Sequence, residues 1–426
     1  MCQVYNQETS LKPLIKWPGG KEKELEFIFP NAPTKINNYY EPFVGGGSVF
    51  MAFNANNFFI NDKSNELINL YKFISTKDSE FYKWANGIET AWKNTLNYAS
   101  SVGLEKLFIS FRNDEIDVKE LKNKIDAFVK TNEQNILNNL PKFFVINTNV
   151  FISEVKINLI RKLQRMKKLE LEKWILPDED VKANIETAFM SALYMYFRNL
   201  YNDKEVQKKS ELYTALFLFI RNYTYSGMFR YNDAGEFNVP YGGTSYNSKT
   251  LDNKFNYYQS EKVLNKFSHT KIENLDFEEF FKQNEPKEND FVFLDPPYDS
   301  EFSTYAQNDF TREDQARLAN YLCNECKAKW MMVIKATPYI LSLYESVSII
   351  MGSNIGTCSS CFFIVGLLSS NINIFDSNLL VGILSIISFI FLFKKHKLEN
   401  FFIGITLILL SMNIMNDSTN FITNLK

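Results

Sequence analysis

Four short apolar stretches, two near the N-terminus and two beyond residue 289, do most to narrow the folds open to this 426-residue chain. Residues 36–44 (INNYYEPFV) and 57–61 (NFFIN) have the length and the aromatic, apolar character of buried strands. Each is followed by a turn and a helical pattern, GGGSVFMAFNAN after the first and DKSNELINLYKFI after the second. The pattern resumes only at 290–294 (DFVFL) and 329–335 (KWMMVIK), separated by a helix beginning near Thr311, where T-R-E-D has the form of a capping box. Such alternation implies βαβ units and a parallel sheet. The long interval between the two halves, about 75–285, reads as amphipathic helices followed by a Gly- and Tyr-rich loop region at 222–246. The expected organisation is therefore an α/β sheet domain built from 1–74 and 286–345, split by an inserted, mainly helical lobe at 75–285. The segment 346–426 has a different character.

The chemistry concentrates where strands end. Asp295-Pro296-Pro297-Tyr298 follows the strand FVFL, and in open α/β sheets ligands bind outside the carboxyl ends of the strands. An adenine amino nitrogen is a poor nucleophile because its lone pair is delocalised into the ring. A carboxylate and a backbone carbonyl that accept its two hydrogens localise that pair. Asp295 supplies the carboxylate, and prolines at 296 and 297 fix the backbone that presents the carbonyl of Pro296. Tyr298 offers a ring on which an extruded base stacks, worth roughly 1–3 kcal/mol. A tight turn after a strand is the blander reading of the same four residues.

Three further motifs surround this one. Glu41 to Ser48 (EPFVGGGS), between a strand and a helix, holds Phe43 and the glycines Gly45 and Gly47, which permit positive φ and a close approach of the backbone to a nucleoside or a phosphate. Asp62 ends the next strand, where an acidic residue binds ribose hydroxyls or, alternatively, caps a helix. Lys16 to Lys21 (KWPGGK) precedes the first strand. There Trp17 can lie against a cationic sulfonium and Lys21 can pair with a cofactor carboxylate, or the hexapeptide is a surface turn.

Taken in order, KWPGGK, EPFVGGGS, IND and DPPY resemble the Dam-like DNA adenine N6-methyltransferases, in which cofactor motifs come first, target recognition lies in the middle and DPPY follows. Arg221 to Asn247 (RNYTYSGMFRYNDAGEFNVPYGGTSYN) is similar to that family's recognition hairpin. The resemblance covers about residues 11–345. It implies a Rossmann-like S-adenosylmethionine-dependent sheet that transfers a methyl group to the N6 amino group of an adenine flipped from double-stranded DNA, with no metal and no covalent enzyme intermediate. Catalytic roles fall on Asp295, Pro296, Pro297 and Tyr298. Cofactor contacts fall on Trp17, Lys21, Phe43, Gly45, Gly47, Asp62 and Asp295, and on Asp276, which matches a family acidic position near the cofactor adenine and otherwise reads as a helix N-cap. Arg230, Tyr231 and Asn232 match positions that reach DNA, and arginine suits bidentate contact with guanine or phosphate. A restriction-modification or related DNA-marking role, with a cognate restriction endonuclease as partner, follows from the same resemblance. Ser226 stands where many members have asparagine, which leaves the target sequence open rather than fixed at GATC. Methylation of RNA or of a protein amide by a related P-P-Y enzyme is the neighbouring alternative; Asp rather than Asn at 295 and the hairpin favour DNA adenine.

A net charge of −2 and a pI near 6.0 exclude binding to nucleic acid by overall positive charge, so a DNA site must be local. One candidate is the run holding Arg161, Lys162, Arg165, Lys167, Lys168 and Lys173, which equally describes a solvated helix face. The N-terminus lacks an uninterrupted apolar stretch, and the cysteine pairs Cys323/Cys326 and Cys358/Cys361 lack the surroundings of a zinc site, so a reducing cytoplasmic setting is expected. Neither His269 nor His396 lies near a motif, as suits a mechanism without an imidazole base.

After Glu345 come three apolar stretches of about 13–22 residues, at the lower end of what crosses a bilayer. Relatives continue there with strands that finish the sheet. The apolar tail is expected to replace them, as a fusion, a frameshift or a membrane anchor. The rival to an active enzyme is accordingly a catalytically impaired, membrane-attached remnant.

Overall fold

The computed structural model describes residues 10–298 and 310–344, together with the backbone of 349–351 and 361–366. The chain divides into two units, Met1–Leu367 and Leu368–Lys426. The second unit, and with it most of the apolar tail and His396, lies outside the described residues.

The first unit is built on a sheet whose strands are β1 (Asn38–Glu41), β2 (Asn57–Asn61), β3 (Thr270–Glu273), β4 (Phe291–Leu294), β5 (Lys329–Lys335), β6 (Ile349–Met351) and β7 (Cys361–Gly366). Their order is β3-β2-β1-β4-β5-β7-β6. The first five run parallel, with Tyr39 opposite Phe58 on one side and Phe291 on the other. Both faces are covered, as parallel sheets require, which is why the inner strands β4 and β5 read as nearly continuous apolar runs. Because side chains alternate along a strand, Tyr39, Phe291, Phe293, Met331 and Val333 enter one core. Tyr40, Val292, Leu294, Met332 and Ile334 enter the other, against Phe280, Leu318 and Leu322.

The expected strands and the capping box at Thr311 are present. The Thr311 side chain accepts from the Asp314 backbone N–H, and the Asp314 carboxylate accepts in return at the start of Arg312–Asn324. Two features differ from the sequence reading. β3 comes from within the block read as lobe; TKIE is a half-exposed edge strand and carries no apolar run. The sheet also does not stop at β5, because β7 pairs antiparallel with β5 over Trp330–Lys335 and β6 pairs with β7. The expectation that the tail replaces the finishing strands is thus corrected for 349–351 and 361–366. β7 lies between β5 and β6, a position in which a strand can be apolar throughout.

The lobe shares a core with the sheet. Its long helices Ser79–Ser101, Thr148–Glu172, Asp178–Asn202 and Ser210–Tyr223 bury Trp92, Phe189, Tyr194, Phe197 and Phe219 in the same contiguous cluster as Tyr39 and Phe291. The recognition loops that follow therefore stand on a packed base.

Candidate active site

Strand order reverses between β1 and β4, and the turns after β1, β2, β3 and β4 converge there with the turn Trp17–Lys21 around a cavity of about 410 Å³. Trp17, Lys21, Phe43, Gly45, Asp62, Asp276 and Asp295–Tyr298 all line it. The sequence therefore brought most of its candidates to one place.

The glycine turn is required by crowding as much as by dihedral angle. Gly47 has φ 78° and caps the helix Ser48–Ala52; a Cβ there would lie 2.4 Å from the Tyr71 hydroxyl. Gly45 has φ 49°, and a Cβ would lie 2.9 Å from the Trp17 ring. The turn is tied to β2 by Asp62, which accepts from the backbone N–H of Gly45 and of Ser64, each at 2.9 Å. Ser64, not Asp62, caps the next helix by accepting from the Leu67 N–H. Burial pushes the Asp62 carboxyl up, against the backbone N–H groups that favour its charged form.

Lys21 differs from its expected use. Its ammonium is buried and donates to the Asp295 carboxylate at 2.6 Å and to the Gly19 carbonyl at 2.6 Å, 5.5 Å from the Tyr298 ring. It pairs with the DPPY aspartate. Burial pushes the Asp295 carboxyl up and the Lys21 charge opposes this. The loop is pinned by Gln315, fully buried, whose amide donates to the Pro297 carbonyl at 2.8 Å. Nothing in the sequence singled Gln315 out. Glu41 also faces the cavity, and it was quoted in the glycine motif without a role. The Tyr39 hydroxyl donates to it at 2.6 Å, and burial raises its carboxyl well above the usual range.

On the β3 side, Phe43 meets Phe310 edge-on at 5.4 Å and Phe277 at 5.8 Å, which makes an aromatic cluster on the cavity wall. Asp276 fulfils its blander reading and still lines the cavity. It caps Phe277–Gln283 through the Glu278 N–H and accepts from Arg317 at 2.9 Å. Arg317 also binds Glu278 and Asp314.

The recognition residues diverge. Arg230 is exposed, and its Nε donates to Asn238 at 2.9 Å. Tyr231 is turned inward, packed on Phe229 and Phe237 with its hydroxyl bonded to that of Tyr201, so its expected outward reach is not what the structure presents. Asn232 builds the turn itself, accepting from the N–H of Ala234 and of Glu236. Ser226 has φ 52°, a left-handed conformation that asparagine adopts more readily than serine.

In the basic run, Lys167 is engaged by Asp114 and the Phe111 carbonyl, Arg161 by Asn158 and Lys168 by Glu172. Cys323 and Cys326 are free thiols, and Cys358 lies outside the described residues. Among the described residues no three His, Cys, Asp or Glu side chains gather as a metal set, and no helix is long and apolar enough to cross a membrane.

The chain matches the model of D12 class N6 adenine-specific DNA methyltransferases over residues 17–151 and 121–355. A second model, Na+/Pi-cotransporter, matches 327–417. The type II methyltransferase M1.LlaDCHI of Lactococcus lactis subsp. cremoris is 24% identical over 82% of this chain and 90% of its own length. The DNA adenine methylase of Escherichia coli K12 is 23% identical over 72% of this chain and 74% of its own. The type II methyltransferase M.CviBI of Paramecium bursaria Chlorella virus NC1A is 36% identical over 36% of this chain, a match spanning 59% of the viral protein.

Proposed function

The chain belongs to the D12 class N6 adenine-specific DNA methyltransferases, and we propose that its cavity holds S-adenosylmethionine beside an adenine turned out of double-stranded DNA, whose N6 amino group it methylates. The observation that carries this reading is that Asp295, at the end of β4, opens onto the same cavity as the glycine turn and Asp62. The residues fit the cofactor. The aromatic cluster of Phe43, Phe277 and Phe310 offers a surface for a purine, and Asp62 spends part of its acceptor capacity on the backbone N–H groups of Gly45, Ser64 and Lys63, the remainder being available to ribose hydroxyls. Trp17 and Glu41 border the remaining space, where the methionine portion would lie. S-Adenosylmethionine, when bound, supplies an electrophilic methyl carbon on a sulfonium.

The chain's own residues do the rest. Asp295 and the Pro296 carbonyl accept the two N6 hydrogens and turn the nitrogen lone pair toward the methyl carbon. Lys21 holds the Asp295 carboxylate in place. Burial lifts the Asp295 carboxyl, which suits it to take the proton that the amino group would release as the N–C bond forms and the methyl carbon–sulfur bond breaks, the neutral thioether being the leaving group. Tyr298 stacks on the extruded base. Arg230, the exposed cation of the recognition turn, reads a base edge or a phosphate. With Asp295, Asp62, Lys21 and the glycines all in place, the reading of an impaired remnant is not adopted.

The M1.LlaDCHI and M.CviBI relatives are named type II methyltransferases, which supports a type II restriction-modification role; a cognate endonuclease as partner and a cytoplasmic setting belong to the same proposal. Modified-base sequencing of DNA exposed to the purified full chain tests the activity. N6-methyladenine at one recurring site is expected with wild type and none with Asp295→Ala, while absence of methylated adenine from the wild-type reaction would sink the proposal. A second reading concerns residues 368–426 alone. We propose that this segment associates with a membrane; the Na+/Pi-cotransporter match includes its residues 368–417, together with 327–367 of the first unit. Fractionation with and without detergent tests it, and recovery of the full chain in the soluble fraction without detergent would overturn it.

A further inference from the structure

The last two residues of the long helix Asp178–Asn202 touch both stems of the recognition turn. Tyr231 and Phe237 face each other across an antiparallel bridge, and the turn between them carries Asn232. The Asn202 amide bonds the Phe237 backbone twice. Its Nδ2 donates to the Phe237 carbonyl at 3.0 Å, and its Oδ1 accepts from the Phe237 N–H at 2.9 Å, as a neighbouring strand would. Beside it, the Tyr201 hydroxyl shares a 3.1 Å hydrogen bond with that of Tyr231, on the opposite stem.

The helix end is itself held. Tyr201 is 1% exposed and stacks on Tyr213 at 4.8 Å and 13°. The Tyr213 hydroxyl donates to Glu66 at 3.0 Å, and Glu66 accepts from Ser64, whose backbone N–H binds Asp62 at the cavity. The turn, by contrast, is closed on itself by Asn232, with the Asn232 and Gly235 N–H groups bonded across it. It does not need Tyr201 or Asn202 in order to exist. What they fix is where it points.

We propose that Tyr201 and Asn202 are positioning residues for sequence discrimination, a two-point clamp that sets the direction of the turn and hence the reach of Arg230. This rests on the proposed DNA adenine methylation. Arg230 lies between Phe229, whose ring lines the cavity, and Tyr231, which the clamp holds. Base readout needs bidentate geometry, and a tilt of the turn by an ångström or so removes it while leaving phosphate contacts nearly intact. Loss of the clamp therefore relaxes the choice of site without preventing methylation.

The test uses full-length protein and duplex oligonucleotides carrying the site that wild type methylates, or each of its single-base variants. With Asn202→Ala, the ratio of kcat/KM between the site and its variants falls at least about fivefold. With Tyr201→Phe it falls about twofold or more, and adding Tyr231→Phe lowers it no further, because the hydroxyl pair is already broken. S-Adenosylmethionine affinity without DNA stays within about twofold in each single variant. Unchanged discrimination, or a loss shared equally by all duplexes, would overturn the clamp. If Asn202→Ala fails to fold, Asn202→Asp keeps the acceptor for the Phe237 N–H and loses the donor, and a smaller loss of discrimination is expected; none would again overturn it. A wild type that methylates no adenine removes the underlying function, whereas a specific wild type with equally specific variants removes only the clamp.

Discussion

The cavity at the strand ends and the recognition turn of the lobe are held in opposite ways. In the cavity the chemistry-bearing side chains grip one another and the backbone directly: Lys21 on Asp295, Asp62 on Gly45, Gln315 on Pro297. In the turn, Arg230 is exposed and its placement comes from aromatic residues and a helix end that take no part in reading DNA. The cavity is thus built to keep its geometry with or without a partner, while the turn depends on its support. Substitutions in the first should abolish chemistry. Substitutions in the second should degrade choice.

The sharpest way to break that contrast is Asp295→Ala. Single-turnover methylation should fall on the order of 10²–10³-fold or more, as when a preorganised electrostatic partner is lost, while binding to duplex DNA, measured by anisotropy, changes little because phosphates supply much of it. Turnover near wild type would remove Asp295 from the chemistry. Arg230→Ala should act on the other region, costing about 1–3 kcal/mol of discrimination between the methylated site and its single-base variants. A uniform loss on all sequences would make Arg230 a phosphate contact.

A smaller effect concerns pH. Burial raises the Asp295 carboxyl and Lys21 opposes it, so the acid limb of the single-turnover rate should lie above the ordinary carboxylate range. Lys21→Met should move that limb to higher pH; an unmoved limb would assign it to another group. A carboxyl raised on folding contributes stability that is fully present below its unfolded pKa and lost as pH rises through its folded one. The same substitution should therefore steepen the loss of stability on the alkaline side of that window, as read by denaturant titration. The smallest effect belongs to the lobe's far helix. Lys168, exposed and paired with Glu172 in the next turn, should cost at most about 0.5 kcal/mol of stability as Lys168→Ala. A drop of about one in the salt slope of DNA affinity would bring that helix into the interface.

The same contrast governs what could be read from the sequence. Residues of the cavity are legible because each lies within a few positions of a strand end, so the motifs KWPGGK, EPFVGGGS and DPPY are themselves the geometry. Lys21 reads from the sequence as a partner for a cofactor carboxylate, while its ion pair with Asp295 is hidden by the 274 positions between them. Tyr231 and Asn232 follow Arg230 and match family positions that reach DNA; their packing, Tyr231 against Phe229 and Phe237 and Asn232 within the turn, has no local signal. Tyr201, Asn202 and Gln315 carry no local signal, being ordinary helix residues whose importance arises only on packing. β3 and β7 escape the sequence reading for opposite reasons: one is an edge strand with no apolar run, and the other falls within an apolar stretch that reads as a candidate membrane segment.

The pairing of β1 with β4 has a consequence for how the chain comes into being. Tyr39 waits for Phe291, roughly 250 residues later, so the central pair of the sheet is among the most non-local contacts in the molecule, and topologies of this kind fold slowly. At about 5–20 residues per second of synthesis, the β1 edge stays unpaired on that side for roughly 10–50 s while the lobe emerges. The lobe is rich in local helical contacts and can collapse first. The nascent chain therefore acquires the platform for its recognition turn before it has anywhere to bind a nucleoside, and every molecule passes through an interval in which an open, aromatic strand edge is exposed to its neighbours on the ribosome.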